Sequence, residues 1–215
     1  MESLRNFWMR ISACKPVRRG LDTLGMSVVP YYLFLEKKSF ADLSHSGKHL
    51  RGYKTGLLGP EDMALVAAIP GRQVPEPVFQ KRLQRGDICC GIKHEGVLVS
   101  FVWAAMDAAE AYFGRMPMKP TEAYLFDAFT RVDYRGRGLA PFLRWHLYGE
   151  LEKRGRVDLY SYSLYSNRPA VRFKRKLNAR TIAWGLHIQA LNHYHFNLQM
   201  GRDAKVGVFA SFFRP

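Results

Sequence analysis

The chain has 215 residues, of which 47% are apolar, and this length and composition suit one compact domain or two small ones. Collagen-like and intrinsically disordered classes are excluded by the apolar content. The 33 Lys and Arg residues against 18 Asp and Glu give a net charge of +15, so the surface should attract anions. Phosphorylated cofactors, nucleic acid, acidic proteins and acidic lipid headgroups all fit that charge.

The cysteines and the apolar runs indicate the compartment. Cys14, Cys89 and Cys90 have no metal-ligand spacing and favour a reducing environment. The longest apolar run, 24–35, is interrupted by Pro30 and is shorter than the roughly 20 residues of a membrane-spanning helix. No apolar signal segment follows the basic start. We expect a cytoplasmic protein without a membrane span.

The N-terminal part, 1–52, is predicted to be a basic extension. Residues 1–20 carry apolar side chains at helical spacing among basic residues, which fits a docking helix or a loosely held terminus. The same segment also fits a peripheral contact with an anionic membrane. Residues 28–34 are β-branched and aromatic and predict an early strand, whereas 40–52 is polar and predicts a loop.

From Tyr53 onward, strand and helix signals alternate. Strands are predicted at 53–58, 88–93, 97–104, 124–130, 157–164, 182–191 and 193–200, and helices at about 60–68, 77–84, 139–153 and 169–177. A hairpin followed by strand, helix, strand and helix predicts an α/β (α+β) fold with a mixed sheet. We expect one domain at 53–200 and a tail at 201–215.

The sharpest local pattern is FDAFTRVDYRGRGLA at 126–140. A strand signal leads into a turn with Gly136 and Gly138, and then into a helix signal with apolar residues at 139, 142, 143, 147 and 151. Glycine lets the main chain approach a ligand, and the start of a helix offers free N–H groups and a positive dipole end to phosphate. The alternative is a turn that needs glycine for steric reasons only.

These residues resemble the acyl-CoA loop of the GNAT N-acetyltransferase superfamily, which reads Arg or Gln, any two residues, Gly, one more, then Gly or Ala. The matching positions are Arg135, Gly136, Arg137, Gly138, Leu139 and Ala140. A second motif of the family, Asn-x-x-Ala-x-x-Leu, is matched by Asn167, Ala170, Phe173 and Leu177. The resemblance covers about 53–200, and the order of elements upstream of the loop also agrees with the family.

The resemblance implies a single domain whose mixed, mostly antiparallel sheet splays between its fourth and fifth strands and is flanked by helices. Acetyl-CoA, or another acyl-CoA, would lie in that opening. Its pyrophosphate would bind the main chain of Arg137–Ala140, and its pantetheine arm would pair like an extra strand with Phe129, Thr130 and Arg131. Asn167 would meet the pantetheine or the departing thiol. Between Arg131 and Arg180 there are 13 basic and 4 acidic residues, a charge that suits this polyanion.

The catalytic groups are harder to assign, because acyl transfer needs a base for the amine and an acid for the thiolate. The family's usual base positions correspond to Tyr124 and Phe126, neither of which is a base at neutral pH. Asp127, which matches an acidic position frequent in the family, and Glu122 are the candidate bases, and water relays or other residues are the alternative. Strand alternation places Glu122 on the face of Tyr124 and Phe126, and Asp127 on the opposite face.

The family's usual acid is a tyrosine, and Lys174 occupies that position here. We expect Lys174 to bind a phosphate of the cofactor. Tyr162 and Tyr165, near the end of the fifth strand, could reach the thiolate instead, and Tyr165 is the candidate acid; the alternative is that both pack or face solvent. His187, His193 and His195 lie on the last two predicted strands, but no third ligand of suitable spacing accompanies them, so we expect no metal.

The sequence therefore predicts an acyltransferase that moves an acyl group, most simply acetyl, from CoA to an amine of a small molecule such as an amino sugar or amino acid. A second hypothesis is a longer acyl chain delivered by acyl carrier protein near a membrane, with the basic surface meeting the acidic carrier. Further alternatives are a non-catalytic acyl-CoA sensor and a nucleic-acid-binding module. Nucleic acid is the weaker hypothesis, because the basic residues cluster around the acyl-CoA motif.

Overall fold

The computed structural model describes residues 23, 25–40, 50–111, 114–191, 194–201 and 209–213. The basic segment 1–20, the greater part of the predicted loop at 40–52 and His193 lie outside the described residues. The helices are α1 (Met63–Ala67), α2 (Glu76–Gln84), α3 (Leu139–Glu152) and α4 (Arg168–Lys176). The strands are β1 (Ser27–Glu36), β2 (Tyr53–Leu58), β3 (Ile88–His94), β4 (Val97–Ala105), β5 (Ala108–Ala111), β6 (Gly114–Pro117), β7 (Glu122–Thr130), β8 (Asp158–Leu164), β9 (Arg180–Ala190), β10 (Tyr194–Gly201) and β11 (Phe209–Phe213).

The chain forms two compact units. The first contains the described residues within 36–109 and 117–160, and the second contains the described residues within 23–35, 110–116 and 161–213. Strand β8 contributes its first half to the first unit and its second half to the second. All strands and helices predicted from residue 28 onward are present, which confirms the predicted α/β class with a mostly antiparallel sheet and flanking helices.

In the first unit, β2, β3, β4 and β7 pair antiparallel in that order, and β8 continues the sheet beside β7. The pairing of β7 with β8 is parallel and joins Glu122–Tyr124 with Asp158–Tyr160. Beyond Tyr124, within the described residues, the register of β7 runs on with β4 alone as far as Thr130. The parallel ladder between β7 and β8 is therefore short among the described residues.

Helix α3 packs through the apolar stripe that its sequence predicts. Leu139, Leu143, Leu147 and Leu151 recur every four residues and are at most 2% exposed. The same helix also buries two polar residues, Arg144 and Tyr148, against the carboxylate of Glu36. The Tyr148 hydroxyl donates to Glu36 Oε2, and Arg144 Nε lies 3.5 Å from the same oxygen. Burial, followed by the Glu36 charge, raises the pKa of Tyr148, so this hydroxyl stays a donor.

In the second unit, β11, β10, β9 and β1 form antiparallel pairs, and β1 also lies beside β8. Strand β1 precedes the predicted domain start at residue 53, yet it pairs with β9 from Ser27 to Leu35. The ring of Tyr31 lies over Gly185, where a side chain would occupy the same space. The Tyr31 hydroxyl donates to Asn197 Oδ1 at 2.8 Å. A small residue at position 185 therefore fixes where β1 lies against β9.

The sequence analysis did not predict the β5–β6 hairpin or strand β11. Both strands of the hairpin are four residues long, and β5 is built largely from alanine, which has low strand propensity. No helix in the described ranges is long and apolar enough to cross a membrane.

Candidate active site

The turn between β7 and α3 holds both glycines of the sequence motif in left-handed backbone conformations. Gly136 has φ +81° and Gly138, the residue that caps α3, has φ +75°. A Cβ atom built on either glycine meets no other atom of the described residues within 4 Å. The backbone conformation, and not crowding inside the protein, accounts for glycine at these positions. The space beside both residues is open to a ligand.

The first turn of α3 presents main-chain N–H groups next to that space. The opening N–H groups of any helix lack acceptors within the helix, and the helix dipole makes this end positive. Leu139 and Ala140 supply such groups, whereas Pro141 has none and Phe142 donates to the Gly138 carbonyl at 3.3 Å. Main-chain N–H groups at the start of a helix are chemically suited to a phosphate or pyrophosphate.

The arginines of the turn bond to the turn itself. Arg135 Nε donates to the Thr130 carbonyl at 3.1 Å, and Arg137 donates to the Asp133 carbonyl at 3.0 Å. Arg131 pairs with the Asp133 carboxylate at 2.8 Å, and this hydrogen bond is the main reason that the pKa of Asp133 lies below its usual range. Arg135 and Arg137 are exposed, so they order the loop and also leave positive charge at its surface.

A cluster of aromatic rings contacts the side chain of Arg137. The rings of Tyr53 and His94 stack with centroids 4.3 Å apart, and Tyr134 meets both of them edge-on. Arg137 lies 4.7 Å from the Tyr134 ring centroid and donates to the Tyr53 hydroxyl at 3.3 Å. Because β2, β3 and the turn all contribute, the sheet holds the loop in place.

Near the turn, successive residues of β7 direct their main-chain N–H and C=O groups alternately toward β4 and away from it. The Arg131 N–H donates to the Val99 carbonyl at 2.9 Å, and the Phe129 carbonyl accepts from Ser100 Oγ at 2.9 Å. In an antiparallel pair the intervening residue directs its N–H and C=O away from the partner strand. Thr130 is that residue, so of the predicted pantetheine-binding positions 129–131 it is Thr130 that faces the edge away from β4.

Asp127 lies in a β-bulge and not in regular strand conformation. Its φ is +46°, and Asp127 and Ala128 together stand opposite the single residue Val102 of β4. Arg72 and Arg82 both bind its carboxylate, with Arg72 Nη1 at 2.5 Å from Oδ1 and Arg82 Nη1 at 2.5 Å from Oδ2. The side chain of Asp127 is 10% exposed.

Aromatic rings surround the two arginines. The Arg82 guanidinium lies 5.0–5.2 Å from the ring centroids of Phe79, Trp103 and Phe126. The prediction from alternation, that Asp127 and Phe126 occupy opposite faces, is therefore wrong, because Arg82 contacts both residues and the bulge interrupts the alternation. Both carboxylate oxygens of Asp127 therefore already accept hydrogen bonds from guanidinium groups.

Glu122 is held at the start of β7. It is 4% exposed, and its carboxylate accepts from the Lys119 N–H at 2.8 Å. Its carbonyl accepts from Arg156 at 2.9 Å. These contacts fix the turn that leads into β7, so the two candidate bases predicted from the sequence both have structural partners.

The remaining predicted site residues lie in the second unit. Asn167 Oδ1 accepts from the Ala170 N–H at 3.3 Å and caps α4. Lys174 is 4% exposed, its ammonium donates to the Tyr162 carbonyl at 2.6 Å, and it lies 5.0 Å from the Phe34 ring centroid. Tyr165 is half-buried, with its ring centroid 5.9 Å from that of Tyr32. The Lys174 ammonium thus bonds to the protein interior, an arrangement that favours a structural role over phosphate binding.

The described residues contain no cluster of three or more His, Cys, Asp or Glu side chains that is suited to a metal ion. His187 and His195 contact each other through ring nitrogens 3.2 Å apart.

The family assignment follows from this loop and from its place in the chain. Residues 62–179 match the model of the acetyltransferase (GNAT) family, and this range includes the loop and the Asn167 motif. The chain belongs to the GNAT acetyltransferase family. Acetyl-CoA is the acyl donor that this family uses.

Solved structures support the fold. A GNAT-family acetyltransferase described as putative, from Novosphingobium aromaticivorans, is 20% identical with a TM-score of 0.53 over 77% of this chain and 66% of its own. A tandem GNAT protein of the clavulanic acid biosynthesis pathway is 15% identical, with a TM-score of 0.54 over 78% of this chain and 55% of its own. A Drosophila protein is 13% identical, with a TM-score of 0.56 over 78% of this chain.

The chain spans 52% of the Drosophila protein's length, and no curated protein sequence matches it. At these identities the solved structures show the GNAT fold and nothing more about the acceptor. Arg72 and Arg82, which bind the Asp127 carboxylate, are candidate site residues that the sequence analysis missed, because nothing local separates them from the other basic residues of the chain.

Proposed function

We propose that this GNAT protein transfers the acetyl group of acetyl-CoA directly to an amine of a small molecule of the amino acid or amino sugar type. The observation that carries the proposal is the open turn at Gly136 and Gly138, which presents the first N–H groups of α3 beside exposed Arg135 and Arg137.

In this proposal the pyrophosphate of the donor binds the main chain of Gly136–Ala140, and the two exposed arginines balance its charge. The pantetheine arm pairs with the outward-facing main chain of Thr130 and extends along β7 toward Asp127. Asn167 and Lys174, which the family resemblance assigns to the donor, already make structural contacts within the second unit. In this proposal the donor is therefore bound mainly by the turn between β7 and α3.

The chemical step forms one bond and breaks one. The amine nitrogen attacks the thioester carbonyl carbon, the new C–N bond forms, and the C–S bond breaks to release the CoA thiolate. The amine loses one proton and the thiolate gains one. Because the carboxylates of Asp127 and Glu122 are engaged by other groups, water accepts the amine proton in this proposal. Tyr165 stays the candidate proton donor to the thiolate, and a Tyr165→Phe variant tests that role through the pH dependence of kcat.

Calorimetric titration of the purified protein with acetyl-CoA, CoA and a long-chain acyl-CoA tests the proposal. Gly138→Val places a side chain in the open turn, and Gly155→Val is the matched control, because Gly155 has φ +72° and also has open space around it. Both variants carry the same backbone strain, but only the first lies at the phosphate site.

We expect saturable binding of acetyl-CoA and CoA by the wild type and by Gly155→Val, with at least tenfold weaker binding by Gly138→Val. Equal binding by all three proteins would refute the loop assignment. Absence of binding by the wild type would refute acetyl-CoA as donor. A strong preference for the long-chain ligand would favour the longer-chain acyltransferase instead.

A further inference from the structure

The two arginines on Asp127 carry more charge than the carboxylate neutralises. Two guanidinium groups share one carboxylate, which leaves a surplus of one positive charge. The exposed fractions of the Arg72, Arg82 and Asp127 side chains are 19%, 17% and 10%, so the surplus charge lies in a largely desolvated position. Such a charge attracts an anion more strongly than an exposed arginine does.

Both arginines also have hydrogen-bond donors to spare. Arg72 bonds to Asp127 through both terminal nitrogens, whereas its Nε is buried and has no hydrogen-bond partner among the described residues. Within the same residues Arg82 donates only through Nη1. A buried donor without an acceptor is unfavourable, and a bound anion would relieve that cost.

The surroundings favour a small organic anion. The Arg72 guanidinium lies 5.5 Å from the Phe101 ring centroid and 5.7 Å from that of Phe129, and Arg82 is surrounded by three further rings. The rings hold the guanidinium planes in fixed orientations and exclude water, which suits recognition of a planar carboxylate.

The cluster also lies close to the proposed path of the donor. Asp127 and Thr130 are three residues apart on β7, about 10 Å along the strand. The Phe129 ring joins the two regions, because Arg72 lies 5.7 Å and Arg135 5.8 Å from its centroid. A molecule held at Arg82 would therefore be near Asp127, toward which the pantetheine arm extends in the proposed function.

We propose that the acceptor of this enzyme carries a carboxylate, which binds to the arginine pair Arg72 and Arg82, so that the acceptor class is an amino acid and not an amino sugar. This inference rests on the proposed function, because it names the acceptor of the same acetyl transfer. Asp127 is then a positioning residue that holds the two guanidinium groups side by side.

Two conjugates test the proposal without requiring turnover. In one, the CoA sulfur is joined through an acetyl linker to the amino group of phenylalanine, and in the other to that of phenylalaninamide, which lacks the carboxylate. Their affinities are measured by calorimetry for the wild type, for Arg82→Gln, for the charge-retaining Arg82→Lys and for Lys81→Gln. Lys81 is exposed on the same helix, so Lys81→Gln removes one positive charge outside the cluster.

We expect the wild type and Lys81→Gln to bind the carboxylate conjugate at least tenfold more tightly than the amide conjugate. In Arg82→Gln the affinities for the two conjugates should differ by less than twofold. Arg82→Lys should keep an intermediate ratio, and the affinity for plain CoA should be equal in all four proteins. Equal affinities of the two conjugates for the wild type, or conjugates that bind no better than CoA, would overturn the proposal. If the wild type does not bind CoA at all, the proposed function is overturned instead.

Discussion

Replacing Asp127 with asparagine should destabilise the protein strongly, because Asp127 is the only carboxylate that the described residues place against Arg72 and Arg82. The substitution keeps the size and shape of the side chain and removes its charge. Two guanidinium groups within 2.5 Å of the former carboxylate oxygens would then face each other without compensation.

The size of the effect follows from burial. Removing one partner of a fully buried ion pair costs about 3–5 kcal/mol, because it leaves an uncompensated charge. Since these side chains are between 10% and 19% exposed, water screens part of that charge, and we expect a loss of roughly 2–4 kcal/mol in the free energy of unfolding. With a urea dependence of roughly 2 kcal/mol per molar, the unfolding midpoint should fall by about 1–2 M.

Urea unfolding followed by circular dichroism measures this loss. Asp133→Asn is the matched control, because Asp133 also pairs with an arginine but its side chain is 57% exposed. Its unfolding midpoint should equal that of the wild type. An Asp127→Asn protein with an unchanged midpoint and greatly reduced acetyl transfer would refute the reasoning, since Asp127 would then act in the chemistry and not in holding the arginines.

The remaining predictions concern the packing of Gly185, the reactivity of two buried thiols and the pH dependence of stability. Gly185→Ala should lower stability by about 1–3 kcal/mol, because its Cβ would overlap the Tyr31 ring, whereas Gly56→Ala, with open space around it, should be close to neutral in thermal unfolding. Burial raises the pKa of Cys90 to about 12 and that of Cys89 well above its usual value, so neither thiol should react with iodoacetamide at pH 8 until urea is added, as peptide mapping will show. Because the unfolded thiols ionise more readily, stability should also decline as the pH rises above about 9. Fast alkylation in the native protein, or a Gly185→Ala melting point above that of Gly56→Ala, would contradict these interpretations.

The turn between β7 and α3 could be predicted from the sequence because its causes are local. Two glycines and an apolar stripe at helical spacing lie within 16 residues, from Gly136 to Leu151, and the structure has the turn and α3 at those positions. The positions at which most other helices and strands begin and end also follow from local signals, namely glycine, proline and alternating apolar residues.

The arginine cluster around Asp127 could not be predicted, because its causes are not local. Arg72 and Arg82 lie 55 and 45 residues from Asp127 in the sequence. Only the packed sheet and helix α2 bring them together. The positive φ of Asp127 is equally hidden, since aspartate is common in ordinary turns and loops, and the bulge that it forms redirects the side chain against the expected alternation.

Burial of Lys174 was missed for a related reason. Its sequence context, Arg172 to Lys176, reads as a solvated basic face of α4. In the structure its side chain is buried beside the Phe34 ring and its ammonium donates to the Tyr162 carbonyl. The sequence does not distinguish the buried Lys174 from the exposed basic residues next to it.

The central claim is that the main chain at Gly136–Ala140 binds the pyrophosphate of CoA, and amide NMR shifts test it most directly. Titration of ¹⁵N-labelled protein with CoA, and separately with inorganic pyrophosphate, should move the amide signals of Gly136, Gly138, Leu139 and Ala140 more than those of other residues. The amide of Gly155, an equally exposed glycine with a similar backbone conformation, should not move. Saturable CoA binding that leaves the four loop amides unchanged would contradict the account.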